Sequence, residues 1–253
     1  MLALTMGSPA LPMRGFLGPS GLFHLAFFGV LVPILVIRGR GALAKLRAYP
    51  PIVATHLRAL VSVLVLAALS LLVARAQGIR LAPARAPRPL DLALGAAALA
   101  LFVAVAIPVW RRGIVARRPS MYFRMLRTPA EYLAWSAVAL AAGVGEEITW
   151  RGVQTSLLAP LVGSPWLAAL LVAVMFALGH ANQNAASIAI VFAFSLCASL
   201  LVALTGSLVV PVLLHVAYDL AAGFVVARLC RTMGYEPPPL PAAGTPGTAA
   251  PSE

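Results

Sequence analysis

The chain has 253 residues, 61% of them hydrophobic and only 10% charged, with a mean hydropathy of +0.95. A soluble domain carries about 25% charged residues, so the composition excludes a soluble globular protein and indicates an integral membrane protein. The formal net charge of +12 does not mark a nucleic-acid binder, because the basic residues fall in short clusters between apolar runs, where they act as topology signals and lipid-headgroup contacts.

Apolar runs of spanning or near-spanning length lie at about 22–37, 58–74, 90–110, 132–158, 166–181, 187–204 and 207–229. A lone strand cannot satisfy its backbone in lipid, so all are expected to be helices. The expected fold class is therefore all-α, a polytopic helical membrane protein with about seven (six to eight) transmembrane helices. The first apolar run starts only near Leu22 and no small-residue cleavage site follows it, so it does not read as a cleaved signal peptide. The first two runs are short enough to be tilted or partly interfacial. The fourth is long enough to be two pieces, a span to about Gly145 and a shorter helix carrying Glu147 to Leu158, with Gly143 and Gly145 as the expected break.

The connections differ in charge. Residues 38–58 hold Arg38, Arg40, Lys45, Arg47 and Arg58, and residues 111–127 hold Arg111, Arg112, Arg117, Arg118, Arg124 and Arg127. With seven spans, positive-inside counting puts the N-terminus outside and the C-terminus in the cytoplasm. The arginines of 75–88 pull against that orientation, and an interfacial half-helix after Glu146 would change the parity. Arginine in place of lysine, with abundant alanine, suggests a GC-rich bacterial genome and hence a bacterial inner membrane. Proline and glycine crowd the end of the chain, which reads as a disordered tail. The expected organisation is a membrane scaffold over 1–128, a functional core over 129–232 and a Pro-rich tail over 233–253.

Isolated polar and aromatic residues receive plain structural readings. His24 has no partner in view, His56 reads as a loop residue beside basic neighbours, and Asp91 as a helix N-cap. Trp150 and Trp166 read as interfacial anchors, Asn182, Gln183 and Asn184 as a solvated loop, and Cys197 and Cys230 as small packing residues.

Chemistry concentrates after residue 145. Two adjacent carboxylates, Glu146 and Glu147, lie in an apolar stretch with Arg151 four residues beyond Glu147. Glu147 and Arg151 share a helical face in the favoured order for an ion pair, whereas Glu146 points roughly 100° away. One glutamate is thus expected to be neutralised by Arg151 and the other turned toward a cavity. Phe176 and His180 share a second face, His215 and Asp219 a third; an aspartate one turn from a histidine can fix its tautomer, or both can point at one ligand or water. Three acids against one arginine leave two uncompensated negatives at low dielectric, which calls for bound protons, a charged histidine or a divalent cation such as Zn2+. Plainer readings exist: the glutamates as an N-cap cluster, or Asp219 paired with Arg228.

The segments Glu146-Glu147-x-x-x-Arg151, Phe176-x-x-x-His180 and His215-x-x-x-Asp219, in that order, resemble the signature motifs of the CPBP family, the CAAX prenyl protease and bacteriocin-processing (Abi) membrane proteins. The run Thr205-Gly206-Ser207-Leu208 leading through Pro211 to His215 resembles the approach to the last motif. The resemblance covers about 130–225. It implies an all-helical intramembrane protease whose catalytic residues would be Glu146, Glu147, Arg151, His180, His215 and Asp219. Glu146 would activate water, His180 would help hold it, and His215 with residue 219 would stabilise the oxyanion. The family often has Asn at the last position; Asp219 cannot donate a hydrogen bond unless protonated. The expected partners are membrane lipids and a membrane-associated protein or peptide substrate. Two other classes stay open, a proton-coupled transporter using the acids and His215 as a relay, and a non-enzymatic immunity or regulatory protein.

Overall fold

The structure, a computed structural model, describes residues 17–42, 46–83 and 85–240. Its elements in chain order are α1 (Pro19–Arg38), α2 (Ile52–Gln77), α3 (Pro89–Val115), a 3-10 turn (Pro119–Arg124), α4 (Pro129–Glu147), a π-helical segment (Ile148–Gln154), α5 (Thr155–Val162), α6 (Pro165–Leu178), α7 (Ala185–Thr205) and α8 (Val209–Thr232). The chain is thus an all-α polytopic helical membrane protein.

Local chemistry sets the helix ends. Prolines open α1, α3, α4 and α6, where the missing N–H is one of the helix's unpaired donors anyway. Thr128 and Glu131 form a reciprocal capping box at the start of α4, and the side chains of Ser164 and Asn184 cap α6 and α7. Gly78 and Gly206 close α2 and α7 in the left-handed conformation, at φ of 68° and 65°.

All seven apolar runs are helical, but among the described residues five helices are long and apolar enough to span: α1, α2, α3, α7 and α8. The fourth run carries Glu146, Glu147 and Arg151. The fifth, α6, has 14 residues, about 21 Å at 1.5 Å per residue and short of a ~30 Å hydrocarbon core.

The expected break at Gly143 and Gly145 does not occur. The fourth run passes from α4 through the π segment into α5 without leaving the helix. The two glycines are instead points of close helix contact. A Cβ on Gly143 would lie 2.5 Å from Val216 Cγ2 and 2.7 Å from the Val216 backbone nitrogen, and one on Gly145 would lie 2.9 Å from Ala67 Cβ. Small residues let helices approach closely in lipid, where packing rather than hydrophobicity drives association. Here they press α4 against α8 on one side and α2 on the other. Around this centre α8 also packs on α3, α3 on α7, and α6 on α5 and α7.

Several isolated residues differ from expectation. Trp150 is buried, edge-on to Phe28 and Phe176, and is no interfacial anchor, whereas Trp166 is exposed. His56 lies inside α2, buried edge-on to Trp135, rather than in a loop. Asp91 sits at the third residue of α3, not at its N-cap. Its carboxylate accepts from the Arg88 backbone N–H at 2.8 Å and pairs with Arg85. His24 has partners after all: Nδ1 is 2.8 Å from Gln154 Oε1 and Nε2 is 3.1 Å from Ser70 Oγ. Cys197 and Cys230 are free and partly or fully buried. Beyond α8, Tyr235 is buried and donates its hydroxyl to the Arg118 carbonyl, while Tyr49 donates to the Pro238 carbonyl. The rest of the expected tail, 241–253, lies outside the described residues.

Candidate functional site

The three polar motifs converge because the last turn of α4, the π segment, the end of α6 and the second turn of α8 meet inside the bundle. Glu147 is fully buried. Its Oε1 accepts from Arg151 Nη1 at 2.8 Å and lies 2.8 Å from His215 Nδ1. The i,i+4 ion pair is therefore present and reaches across α8 as well. The π segment adds a residue to the turn that carries Arg151, a feature frequent at functional sites. The guanidinium lies over the Phe176 ring, 4.7 Å from its centroid. Glu147 Oε2 and Arg151 Nε and Nη2 are buried without a hydrogen-bond partner among the described residues.

The other two acids face open space. The side chains of Glu146 and Asp219 are 26% and 27% exposed, against 0% for Glu147. Their oxygens lie 3.8 Å and 3.7 Å from His215 Nε2. The division between the glutamates follows the helical geometry, one paired and one turned to a cavity.

Both histidines have the same tautomer. A carboxylate oxygen that already holds Arg151 can only accept, so His215 Nδ1 carries a proton and donates to Glu147. A backbone carbonyl can only accept, so His180 Nδ1 donates to the Phe176 carbonyl at 2.8 Å. Each ring is left with Nε2 for other work. Of the two arrangements open to Asp219, the structure has Glu147 rather than Asp219 at His215 Nδ1, and Asp219 beside Nε2, where both side chains border the second chamber. Phe194 and Phe176 stand edge-on to His215, at centroid distances of 5.2 and 6.2 Å, and keep the ring apolar on its flanks.

Two chambers meet at Phe176 and His180. The first, about 190 Å³, is mostly apolar, with Phe28, Val63, Leu66 and Trp150 in its walls and Glu146, Thr149 and His180 as polar groups. The second holds His215, Asp219, Tyr218, Gln183, Ser187 and Arg124. Gln183 is therefore part of a cavity wall, not only of a solvated loop, and Asn184 is the N-cap of α7. Asp219 does not pair with Arg228, which is exposed.

Two arginines belong to this region that the sequence pattern leaves among the loop charges. Arg124, at the end of the 3-10 turn, enters the second chamber near Asp219 and Tyr218. Burial draws its guanidinium below the ordinary arginine value, and the neighbouring Tyr218 and Asp219 oppose that shift. Arg40, just beyond α1, donates from Nε to the Ala181 carbonyl and holds the turn that presents His180. Neither has a helical-spacing signal, because each reaches the site from a segment distant in sequence. Trp135 adds a third fixed point: its Nε1 donates to the Asp219 carbonyl at 2.9 Å.

Among the described residues no three of His, Cys, Asp and Glu converge as metal ligands.

Residues 128–221 match the family model described as Rce1-like, type II CAAX prenyl endopeptidase. The match runs from the N-cap of α4 past Asp219 and contains Glu146, Glu147, Arg151, His180, His215 and Asp219. The resemblance to the CPBP family thus holds over the segment that builds the site, and it supports a membrane-embedded protease. No curated protein and no solved structure matches the chain.

Proposed function

We propose that the protein hydrolyses a peptide bond of a membrane-associated protein or peptide with water activated by Glu146, in a bacterial inner membrane. The observation that carries this reading is the juxtaposition of the partly exposed Glu146 carboxylate, in the first chamber, with His215 Nε2, in the second, with His180 lining both.

The Glu146 carboxylate takes a proton from water as the water oxygen attacks the peptide carbonyl carbon. With Nδ1 committed to the Phe176 carbonyl, His180 offers Nε2 as an acceptor for the second water proton. His215, when both ring nitrogens carry protons, donates from Nε2 to the oxyanion that forms. Collapse of the tetrahedral intermediate breaks the C–N bond, and the proton held by Glu146 passes to the leaving amine. No side chain becomes covalently attached to substrate.

Charge supports this assignment. Glu146, Glu147 and Asp219 carry three negatives, and Arg151 and Arg124 two positives. One further proton, shared among Glu146, His215 and Asp219, makes the site neutral, and a cationic His215 supplies it where the oxyanion needs a donor. Glu147 and Arg151 act by orienting His215. The apolar first chamber suits an apolar part of the substrate.

The test is cleavage of a membrane-tethered peptide by wild-type protein, Glu146→Gln and His180→Ala in proteoliposomes. Turnover in the wild type with loss in Glu146→Gln is expected; full activity in both variants would remove the reading.

A further inference from the structure

Arg124 stands apart from the other charged residues of the site. Its main chain is firmly placed. The 3-10 turn buries Met121, and the following Met125 and Leu126 are also buried. Tyr122 donates to the Pro50 carbonyl, and Tyr235 donates to the Arg118 carbonyl just before the turn. Its guanidinium, in contrast, makes no hydrogen bond and no ion pair within 4.0 Å among the described residues, although it lies in the wall of the second chamber. Asp219 is near enough to interact through space, but its own contact is with His215, at 3.7 Å.

A half-buried guanidinium on a fixed turn, with its donors unengaged and aimed at a cavity, is preorganised for a planar anion. Gln183 and Ser187 supply further donors on the same wall, and Trp110 and Trp135 supply flat apolar surface. The first chamber has no such cation. The two sides of the site therefore differ: apolar on one side of His180, anion-reading on the other.

We infer that Arg124 is a specificity-determining residue that binds a carboxylate of the substrate on the side of the scissile bond lying in the second chamber. The carboxylate comes either from a free C-terminus or from an Asp or Glu side chain. This rests on the peptide-hydrolysing reading for the nature of the substrate, but binding itself needs no turnover.

The experiment measures the affinity of apolar peptides for Glu146→Gln protein in nanodiscs, so that no peptide is consumed. One pair differs only in a C-terminal carboxylate or carboxamide, a second only in an internal Asp or Asn. At least a tenfold preference for the acid in one pair is expected, and which pair shows it identifies the source. Adding Arg124→Gln should abolish the preference, and Arg124→Lys should keep part of it. Equal affinity for acid and amide in both pairs, read with Arg124 intact, overturns the inference whether or not the variants fold. So does a preference that survives Arg124→Gln, or an equal loss of acid and amide binding in that variant, which would give Arg124 to Asp219 instead. An acid preference without any cleavage by the wild type would remove the hydrolase reading and leave this one standing.

Discussion

Nδ1 of His215 lies 2.8 Å from Oε1 of Glu147, the same oxygen that Arg151 Nη1 holds at 2.8 Å. One buried oxygen thus ties α8 to the π segment and sets which nitrogen of His215 faces the cavity. Removing one member of a buried pair leaves an uncompensated charge, at a cost of about 3–5 kcal/mol, whereas replacing both with apolar groups is often neutral. Arg151→Met alone is therefore expected to lower thermal stability in detergent strongly. The double variant Glu147→Leu/Arg151→Met should recover most of that stability. Its turnover should stay low, because His215 has lost the acceptor that orients it. Full recovery of cleavage in the double variant would show that the pair serves stability alone.

The α4–α8 contact gives a second prediction. At Gly143 an added Cβ would meet Val216 at both its side chain and its backbone nitrogen, so no rotamer change relieves it. Gly143→Ala should cost at least the roughly 1–3 kcal/mol typical of overpacking, read as a drop in unfolding temperature. It should also impair turnover, because Glu146 and Glu147 lie within one turn of the displaced contact. A Cβ added at Gly41 would meet nothing within 4 Å, but the φ of 79° there is also unfavourable for alanine, so Gly41→Ala tests backbone strain without crowding and should leave cleavage intact.

His24 joins the first helix to the site. Its ring bridges Gln154 of the π segment and Ser70 of α2. Ser70 Oγ lies 2.9 Å from Thr149 Oγ1, and Thr149 donates to the Gly145 carbonyl. His24→Leu would leave Gln154 Oε1 buried without its partner, at about 1–3 kcal/mol, while Ser70 keeps the Leu66 carbonyl and Thr149. A lower unfolding temperature is expected, with a fall in kcat because Thr149 lines the first chamber beside Glu146. An unchanged unfolding temperature would show that the network carries no stability.

What is legible in the sequence is whatever follows helical spacing. Glu147 with Arg151, Phe176 with His180 and His215 with Asp219 each sit four residues apart, and the apolar runs themselves are helices. What stays hidden depends on contacts between distant segments. Arg124 reaches the second chamber from a short 3-10 turn, Arg40 holds the Ala181 carbonyl across 141 residues, and His24 finds Gln154 across 130. Glycine reads as a breaker in sequence because it lacks a side chain; at Gly143 and Gly145 that lack instead lets neighbouring helices touch. The role of Asp219 is hidden for a related reason. The spacing says that it lies near His215, but not which ring nitrogen it faces.

That placement yields a prediction for Asp219 itself. Asp219 Oδ2 lies 3.7 Å from His215 Nε2, in the chamber that also holds Arg124. An ionised aspartate there accepts hydrogen bonds and repels a developing oxyanion, whereas an asparagine of nearly the same shape can donate one. The backbone at this position is fixed by Trp135, which donates to the Asp219 carbonyl at 2.9 Å, so Asp219→Asn should leave the helix in place. The variant removes one negative from the site and so weakens its hold on the His215 proton, but the asparagine amide supplies a donor in its place. We expect kcat equal to or higher than wild type for a membrane-tethered peptide, with the unfolding temperature little changed. Asp219→Ala, which neither donates nor accepts, should have the lower kcat of the two. A loss of turnover in Asp219→Asn as large as in Asp219→Ala would show that the carboxylate charge itself is required, and would make Asp219 a partner of His215 during proton transfer rather than a neighbour of the oxyanion.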